Sequence, residues 1–339
     1  MRAPPTHLPG LDGLRGVAAL IVVVSHSSNF GLLPAAFGRG FGQIGVAIFF
    51  VLSGFLMGYL YAHKPPNRAA ILRYLQSRAA RVLPLYFIAL TLAGLLVLGF
   101  GLPLFDIPDL RALLLGAGLI HAPDIFWSIP VEVQFYLVFA LVWLALGRGW
   151  GVAAFALVIA ALAIGAWLLP QARYVLPKWG MFFVAGTLAA MAYRRWVPAL
   201  QSRLWHLGAW LTLPALIWVL PGVRRAMGQT PGAPYADPAT MLWVGAVFFC
   251  ALLSLGPYRA LAHPALRWLG AVSFSLYLLH LPLVVVTAHL YRQGHAPAPL
   301  LFAGLLVASL CTAFASLHLI ERPAQRAVLR RAGHPRTPR

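Results

Sequence analysis

Residues 11–30, "LDGLRGVAALIVVVSHSSNF", have the composition of a membrane-spanning helix. An α-helix crosses a bilayer with about 20 mostly apolar residues. Arg15 near the start of this run and His26 well inside it are the exceptions. Because a charged side chain at the bilayer centre costs at least ~3 kcal/mol on insertion scales, both residues need an explanation. The structural alternatives to a function are an Arg15 that reaches a lipid headgroup and a His26 that is buried and hydrogen-bonded.

The composition of the whole chain is similar to that of this stretch. Of the 339 residues, 61% are hydrophobic and 10% are charged, and the mean hydropathy is +0.81; soluble domains carry about 25% charged residues. The apolar runs are continuous rather than alternating, which is typical of helices and not of barrel strands. We therefore predict an all-α, polytopic integral membrane helical bundle of about ten transmembrane helices. The predicted spans are 13–33, 42–62, 82–102, 125–147, 150–169, 178–194, 204–221, 239–257, 266–291 and 299–320.

The basic residues predict the orientation in the inner (plasma) membrane. With the N-terminus inside, 19 of the 26 Lys and Arg residues fall in cytoplasmic segments, as the positive-inside rule requires. Both termini are therefore predicted to be cytoplasmic, with one membrane-embedded domain at 1–323 and a basic tail at 324–339. The formal charge of +19 then indicates topology and contact with anionic lipids rather than with nucleic acid. The basic residues expected outside are Arg39, Arg111, Arg173, Lys178, Arg224, Arg225 and Arg292.

The sequence lacks the motifs that mark several classes of enzyme. The sequence contains no Walker loop and no dinucleotide fingerprint, and "FVLSGFLMG" lacks the first glycine of a nucleophile elbow. Cys250 and Cys311 lie in apolar spans without metal-ligand or disulfide spacing, so no metal is expected. The longest stretches outside the spans are roughly twenty residues, too short for a soluble domain. Chemistry is therefore expected between the helices or at their mouths.

The first span places its two polar groups on one face. Arg15 and His26 are 11 residues apart, within 20° of three full helical turns and about 16 Å along the axis. Asp12 precedes Arg15 by three residues, where the two can pair.

Two later predicted spans also carry polar residues on one face of the helix. Ser128, Glu132 and Tyr136 recur at i, i+4 and i+8. Glu132 is the only acidic residue inside an apolar run, which makes it a functional candidate by default, with a buried ion pair as the alternative. In "SFSLYLLHLPL", Tyr277 and His280 share a face with Ser273. A lone histidine in such a helix is more often a packing residue than a catalyst.

Six motifs in order resemble the acyltransferase-3 family of membrane O-acyltransferases. They are "LDGLRGVAALIVVVSH", "FFVLSGFLMG", "SRAARVLPLY", "FWSIPVEVQFY", "SFSLYLLHLPL" and "IERP", spread over residues 9–323. The resemblance implies transfer of an acyl group from cytoplasmic acyl-CoA, with acetyl-CoA as the expected donor, to a hydroxyl. The acceptors so implied are carbohydrates, such as surface polysaccharides or their lipid-linked precursors, or related small molecules.

The resemblance also assigns roles to residues. Catalysis would fall to His26 as general base, with Glu132 and Arg15; direct transfer and a covalent acyl-histidine both stay open. Glu132 would orient His26 or bind acceptor hydroxyls. An extended pantetheine arm is on the order of 15–20 Å long by covalent reach, which matches the Arg15–His26 separation. The predicted ligands of the coenzyme A phosphates are Arg15, Arg73, Arg78 and Arg81, and the predicted substrate-binding residues are Asp12, Ser53, Trp127, Ser128, Tyr136, Tyr277 and His280.

Two other classes compete with this interpretation. A secondary transporter would also hold Arg, His and Glu near the midplane, but transporters more often show inverted repeats, and none is evident in this sequence. A scaffold protein would not need polar residues on several spans. The sequence therefore favours a membrane acyltransferase, with the transporter as the alternative.

Overall fold

The computed structural model describes residues 8–196 and 202–331. Over these residues the chain forms helices and no strand, which confirms the predicted all-α membrane class. The α-helices are α1 (Pro9–Asn29), α2 (Phe41–Tyr61), α3 (Arg68–Gly94), α4 (Leu110–Ala117), α5 (Ser128–Gly147), α6 (Gly151–Leu168), α7 (Leu176–Trp196), α8 (Arg203–Val219), α9 (Pro221–Ala226), α10 (Pro238–Leu252), α11 (Pro264–Arg292), α12 (Ala298–Ser316) and α13 (Arg322–Arg331). The 3₁₀ segments are Ala35–Phe37, Asp124–Trp127, Pro234–Ala236 and Gly256–Ala262, and π-helical turns lie at Leu95–Gly99 and Leu317–Glu321.

Helices form in all ten predicted spans, but two of these helices lack the length or the apolar composition needed to cross a membrane. Within the described residues, seven helices have the length and composition to cross a membrane, or eight if a pair bent by 64°, α10 with Gly256–Ala262, is one span. The other two are α7, which contains Lys178, Arg194 and Arg195, and α8, which has 17 residues. The number ten stays a prediction.

The start of the third predicted span differs most from the structure, by 14 residues. Helix α3 begins at Arg68, capped by the Asn67 side chain, which accepts from the Ala70 amide at 2.8 Å, rather than near residue 82. Hydropathy marks only the apolar part of a helix, whereas backbone hydrogen bonds continue into its polar first turns. At the other end, the predicted boundary at residue 323 falls inside α13, and residues 332–339 of the predicted tail lie outside the described residues.

The chain divides into two compact units, and the first contains residues 8–59 and 182–308. In it, α1 packs along α11 and against α10 and Gly256–Ala262. Gly54 and Gly58 of α2 pack against α7: the Thr187 hydroxyl donates to the Gly54 carbonyl at 3.1 Å, and a β-carbon on Gly58 would lie 2.9 Å from the Thr187 carbonyl oxygen. This spacing of small residues lets helix backbones approach closely in membranes. The glycines of "LSGFLMG" therefore have a packing role.

A mostly buried ion pair also stabilises the first unit. Arg224 of α9 donates to the Asp237 carboxylate at 2.6 Å, and their side chains are 18% and 10% exposed. The same carboxylate oxygen caps α10 by accepting from the Thr240 amide at 3.3 Å and from the Thr240 hydroxyl. These bonds hold α9 against the start of α10.

The second unit contains residues 60–181 and 309–331. Helix α3 packs against α4, α5 and α13, and α6 packs against α5. The Tyr86 hydroxyl donates to the Gly116 carbonyl at 2.8 Å, which fixes α4 on α3. Most of the apolar surface of α6 is exposed, as expected of a helix that faces lipid.

Candidate functional site

Helices α1 and α11 approach each other through glycines. A β-carbon on Gly16 would lie 2.8 Å from the Gly270 nitrogen, and a β-carbon on Gly270 would overlap the carbonyl oxygen of Asp12. The two helices run parallel, because contacts advance together along both chains. His26 lies ten residues beyond Gly16, and His280 lies ten residues beyond Gly270. With the same rise of about 1.5 Å per residue in each helix, the two histidines reach the same level.

His26 and His280 meet side chain to side chain. The Nδ1 atom of His26 lies 2.7 Å from Nε2 of His280, and the ring planes are 10° apart. His280 is fully buried, at 0% exposure, whereas His26 is partly exposed. Nδ1 of His280 lies 2.8 Å from the Tyr277 carbonyl oxygen and 3.1 Å from that of Leu276. The buried imidazole of His280 thus contacts the partly exposed imidazole of His26 at hydrogen-bonding distance.

The predicted pair at the start of α1 is present. Arg15 Nη1 lies 3.5 Å from Asp12 Oδ1, and the side chains are 15% and 32% exposed. Arg15 and His26 lie on the same helix, as the sequence predicted, with about 16 Å between their levels. The first unit therefore presents a guanidinium group and an imidazole on one face of α1.

Two other predicted residues of the first unit lie on neighbouring helices. The ring of Tyr277 is buried, 6.1 Å from the ring of Phe49 and 6.4 Å from that of His280. Ser53 lies on α2, partly exposed, next to the close-packed Gly54. Tyr277 is thus a neighbour of the histidine pair.

The second unit holds a separate polar cluster between α3 and α5. The buried Tyr136 hydroxyl donates to Glu132 Oε1 at 2.7 Å, and the Tyr74 hydroxyl donates to the Tyr136 carbonyl at 3.1 Å. The Tyr74–Tyr136 bond therefore joins α3 to α5 next to the predicted pair of Glu132 and Tyr136.

Arg78 has unused hydrogen-bonding capacity. Its Nη2 donates to Ser77 Oγ at 3.2 Å, while its Nε is buried and has no acceptor among the described residues. Since buried polar atoms in native proteins are nearly always paired, this nitrogen indicates a place for an acceptor atom of a ligand. Arg81 is half-buried, and Arg73 is exposed.

Aromatic rings surround the start of α5. Trp127 is buried, with its ring 4.6 Å from that of Tyr174 and 4.9 Å from that of Trp179. The indole of Trp179 donates to the Arg173 carbonyl at 2.9 Å. Ser128 follows Trp127 and is also buried.

Sequence reasoning missed two features of these sites. The partner of His26 is 254 residues away, and only the matching offsets from Gly16 and Gly270 hint at it. The buried Nε of Arg78 has no signature in the sequence. Over residues 8–196 and 202–331, no group of three or more His, Cys, Asp or Glu side chains is arranged to hold a metal ion.

Comparisons with known proteins agree with the resemblance. A family model described as an acyltransferase domain, that of acyltransferase-3, matches residues 8–318. Nodulation protein 10 of Rhizobium leguminosarum bv. viciae is 26% identical over 94% of both chains. Acyltransferase MdmB of Streptomyces mycarofaciens is 26% identical over 86% of this chain and 81% of its own length. Peptidoglycan O-acetyltransferase OatA of Listeria monocytogenes is 24% identical over 83% of this chain and 50% of its own length. No solved structure matches the chain at a significant level.

The helical membrane fold and these matches define an integral membrane acyltransferase. The chain belongs to the acyltransferase-3 family, because the family model covers most of its length. The predicted family and enzyme class are thereby confirmed.

Proposed function

We propose that this acyltransferase moves an acyl group, acetyl in the first instance, from cytoplasmic acyl-CoA to a carbohydrate hydroxyl. The acceptor would be a surface polysaccharide, its lipid-linked precursor or a related small molecule. The observation that carries the proposal is the contact between His280 of α11 and His26, which lies on the same helix as Arg15. The name of the Listeria relative, a peptidoglycan O-acetyltransferase, supports acetyl transfer to a carbohydrate polymer.

His26 is the proposed general base. Its imidazole takes the proton of the acceptor hydroxyl while the hydroxyl oxygen attacks the thioester carbonyl carbon. When the carbon–sulfur bond breaks, His26 returns this proton to the leaving thiolate. Histidine suits both steps because its ordinary pKa lies near neutrality.

Arginines are the proposed ligands of the donor phosphates. Arg15 is 15% exposed, and its distance from His26 along α1, about 16 Å, matches the reach of a pantetheine arm. In the second unit, Arg78 has a buried Nε in need of an acceptor, and Arg73 and Arg81 lie on the same helix. Guanidinium groups bind phosphate oxygens through paired hydrogen bonds.

Polar and aromatic residues are the proposed acceptor ligands. In the second unit, Glu132 and Tyr136 offer a hydrogen-bonded carboxylate and phenol, and Glu132 is also proposed to take part in catalysis. The remaining proposed substrate-binding residues are Asp12, Ser53, Trp127, Ser128 and Tyr277.

We place the protein in the inner (plasma) membrane with both termini in the cytoplasm. Arg322, Arg326 and Arg330 recur every four residues along α13 and are exposed, an arrangement that suits contact with anionic headgroups. The excess of basic residues in the predicted inside segments supports the same orientation.

Labelled acetyl-CoA tests the proposal. Protein reconstituted into membrane vesicles with cell-envelope glycans should transfer the label to alkali-labile esters on glycan, and a deletion strain should lose the acetyl mass from the same glycans. A protein that carries acetyl-CoA or glycan across the membrane without forming an ester would be a transporter. That result would refute the proposal.

A further inference from the structure

The hydrogen bonds of His280 determine which of its nitrogens carries a proton. Its Nδ1 faces two backbone carbonyl oxygens, of Tyr277 and Leu276, at 2.8 and 3.1 Å. Carbonyl oxygens only accept hydrogen bonds, so Nδ1 of His280 must be the donor. In a neutral imidazole, the other nitrogen then bears a lone pair.

The charge state of His280 follows from its surroundings. The side chain is 0% exposed, and its polar contacts in the described part of the chain are two carbonyls and His26. With no carboxylate among these partners, a buried imidazolium would be uncompensated. His280 is therefore neutral, and its Nε2 accepts.

The same reasoning then applies to His26. Its Nδ1 lies 2.7 Å from the accepting Nε2 of His280, so this Nδ1 carries the proton. Nε2 of a neutral His26 is consequently the unprotonated nitrogen. Which nitrogen of a histidine is protonated is set by the hydrogen bond that the other makes.

We infer that His280 is a positioning residue that holds His26 in the Nδ1–H tautomer and directs the lone pair of its Nε2 at the substrate. The inference rests on the proposed function, in which His26 is the base. His280 itself touches no substrate in this scheme. When His26 takes the hydroxyl proton on Nε2, its Nδ1–H stays bonded to His280, and the ring keeps its orientation until the proton passes to the thiolate.

Two substitutions at His280 distinguish the effect of its hydrogen-bond acceptor from the effect of its side-chain volume. His280→Leu removes the acceptor at similar volume, whereas His280→Gln can place its Oε1 where Nε2 lies. The assay uses inside-out vesicles with endogenous glycan and labelled acetyl-CoA. We expect His280→Leu to lower kcat by about tenfold or more, the size of effect seen when a group that orients a metal-binding histidine by a hydrogen bond is removed. The KM for acetyl-CoA should stay unchanged, and His280→Gln should recover much of kcat. Equal kcat in His280→Leu and the wild type would overturn the inference, as would a purely KM effect.

Nitrogen-15 NMR reads the tautomer without any turnover. The chain has 11 histidines, so the His26 signals are assigned by difference with His26→Gln in lipid nanodiscs. The wild type should show His26 protonated on Nδ1 and bare on Nε2, and a folded His280→Leu should show the proton on Nε2. An Nε2–H tautomer of His26 in the wild type would refute the inference whether or not the variants fold. If the wild type shows the expected tautomer but transfers no acyl group, the proposed function fails and the assignment of the tautomer stands.

Discussion

The carbonyl oxygen of Asp12 occupies the space where a side chain on Gly270 would begin. Gly16 packs against the same glycine, and ten residues beyond Gly16 and Gly270 the two helices bring His26 and His280 together. The reacting group we propose is thus positioned by a contact about 15 Å away along the helices.

We expect Gly270→Ala to reduce both stability and transfer. The added methyl group must push α1 and α11 apart, an overpacking that costs roughly 1–3 kcal/mol. The matched control is Gly304→Ala on α12, where a β-carbon meets no atom within 4 Å. Thermal unfolding in detergent and acetyl transfer in vesicles measure the two effects. Equal behaviour of the two variants would contradict the role of the glycine contact.

His26→Ala should abolish most transfer while the protein still accumulates in the membrane. Loss of a general base lowers rates by about 10²–10⁴-fold. His289→Ala, an exposed histidine on α11, is the control and should keep wild-type activity. Near-normal turnover without His26 would end the hypothesis, and loss of protein together with activity would favour a structural role.

Arg78→Ala and Arg81→Ala should each raise the concentration of acetyl-CoA needed for half-maximal rate. A hydrogen bond to a charged group contributes about 1.5–3 kcal/mol, which corresponds to a change in KM of roughly tenfold or more. Arg→Lys should restore only part of the affinity, since the forked geometry is lost. Arg68→Ala, exposed at the start of the same helix, is the control. Unchanged coenzyme A binding in the double mutant would leave Arg78 and Arg81 as determinants of topology only.

The two substrates should act from opposite faces of the membrane. The orientation predicted by the positive-inside rule puts Arg15 at the cytoplasmic mouth and the start of α5, with Glu132, towards the outside. In sealed vesicles of known orientation, acetyl-CoA should be used only from the face that carries the C-terminus. A membrane-impermeant glycan should react only from the other face. Use of both substrates from the cytoplasmic face would mean that the acceptor is modified before export.

Asp237→Ala should destabilise the protein more than Asp109→Ala. Asp237 caps α10 and also accepts from Arg224 at 2.6 Å, and breaking a mostly buried ion pair costs about 3 kcal/mol. Asp109 caps α4 through one exposed bond to the Ala112 amide, which is typically worth ~1 kcal/mol. Thermal midpoints of the purified variants compare the two. Similar midpoints would show that the ion pair adds nothing to the cap.

The sequence correctly predicted the features that depend only on residues close together in the chain. Apolar runs placed a helix at every predicted span, and helical spacing placed Asp12 beside Arg15 and Tyr136 beside Glu132, as the structure shows. These features are local, since each joins residues within about one turn of a helix.

Contacts between residues far apart in the chain could not be predicted from the sequence. The bond between His26 and His280 depends on how two helices pack, and no pattern within either helix encodes that choice of partner. For the same reason His280, interpreted from its sequence as a substrate ligand or a packing residue, gains its proposed positioning role only from the structure. The start of α3 was missed because its first turns are polar.

The parallel run of α1 and α11 restricts how many times the chain passes through the bilayer. Two membrane helices that point the same way must be separated by an odd number of crossings. In the described part of the chain, the long apolar helices between them are α2, α3, α5 and α6, an even number, which would return the chain to the wrong side. If each of these four helices crosses the membrane, then one or all three of α7, α8 and α10 must cross as well, so the contact between Gly16 and Gly270 constrains the parity of the predicted topology.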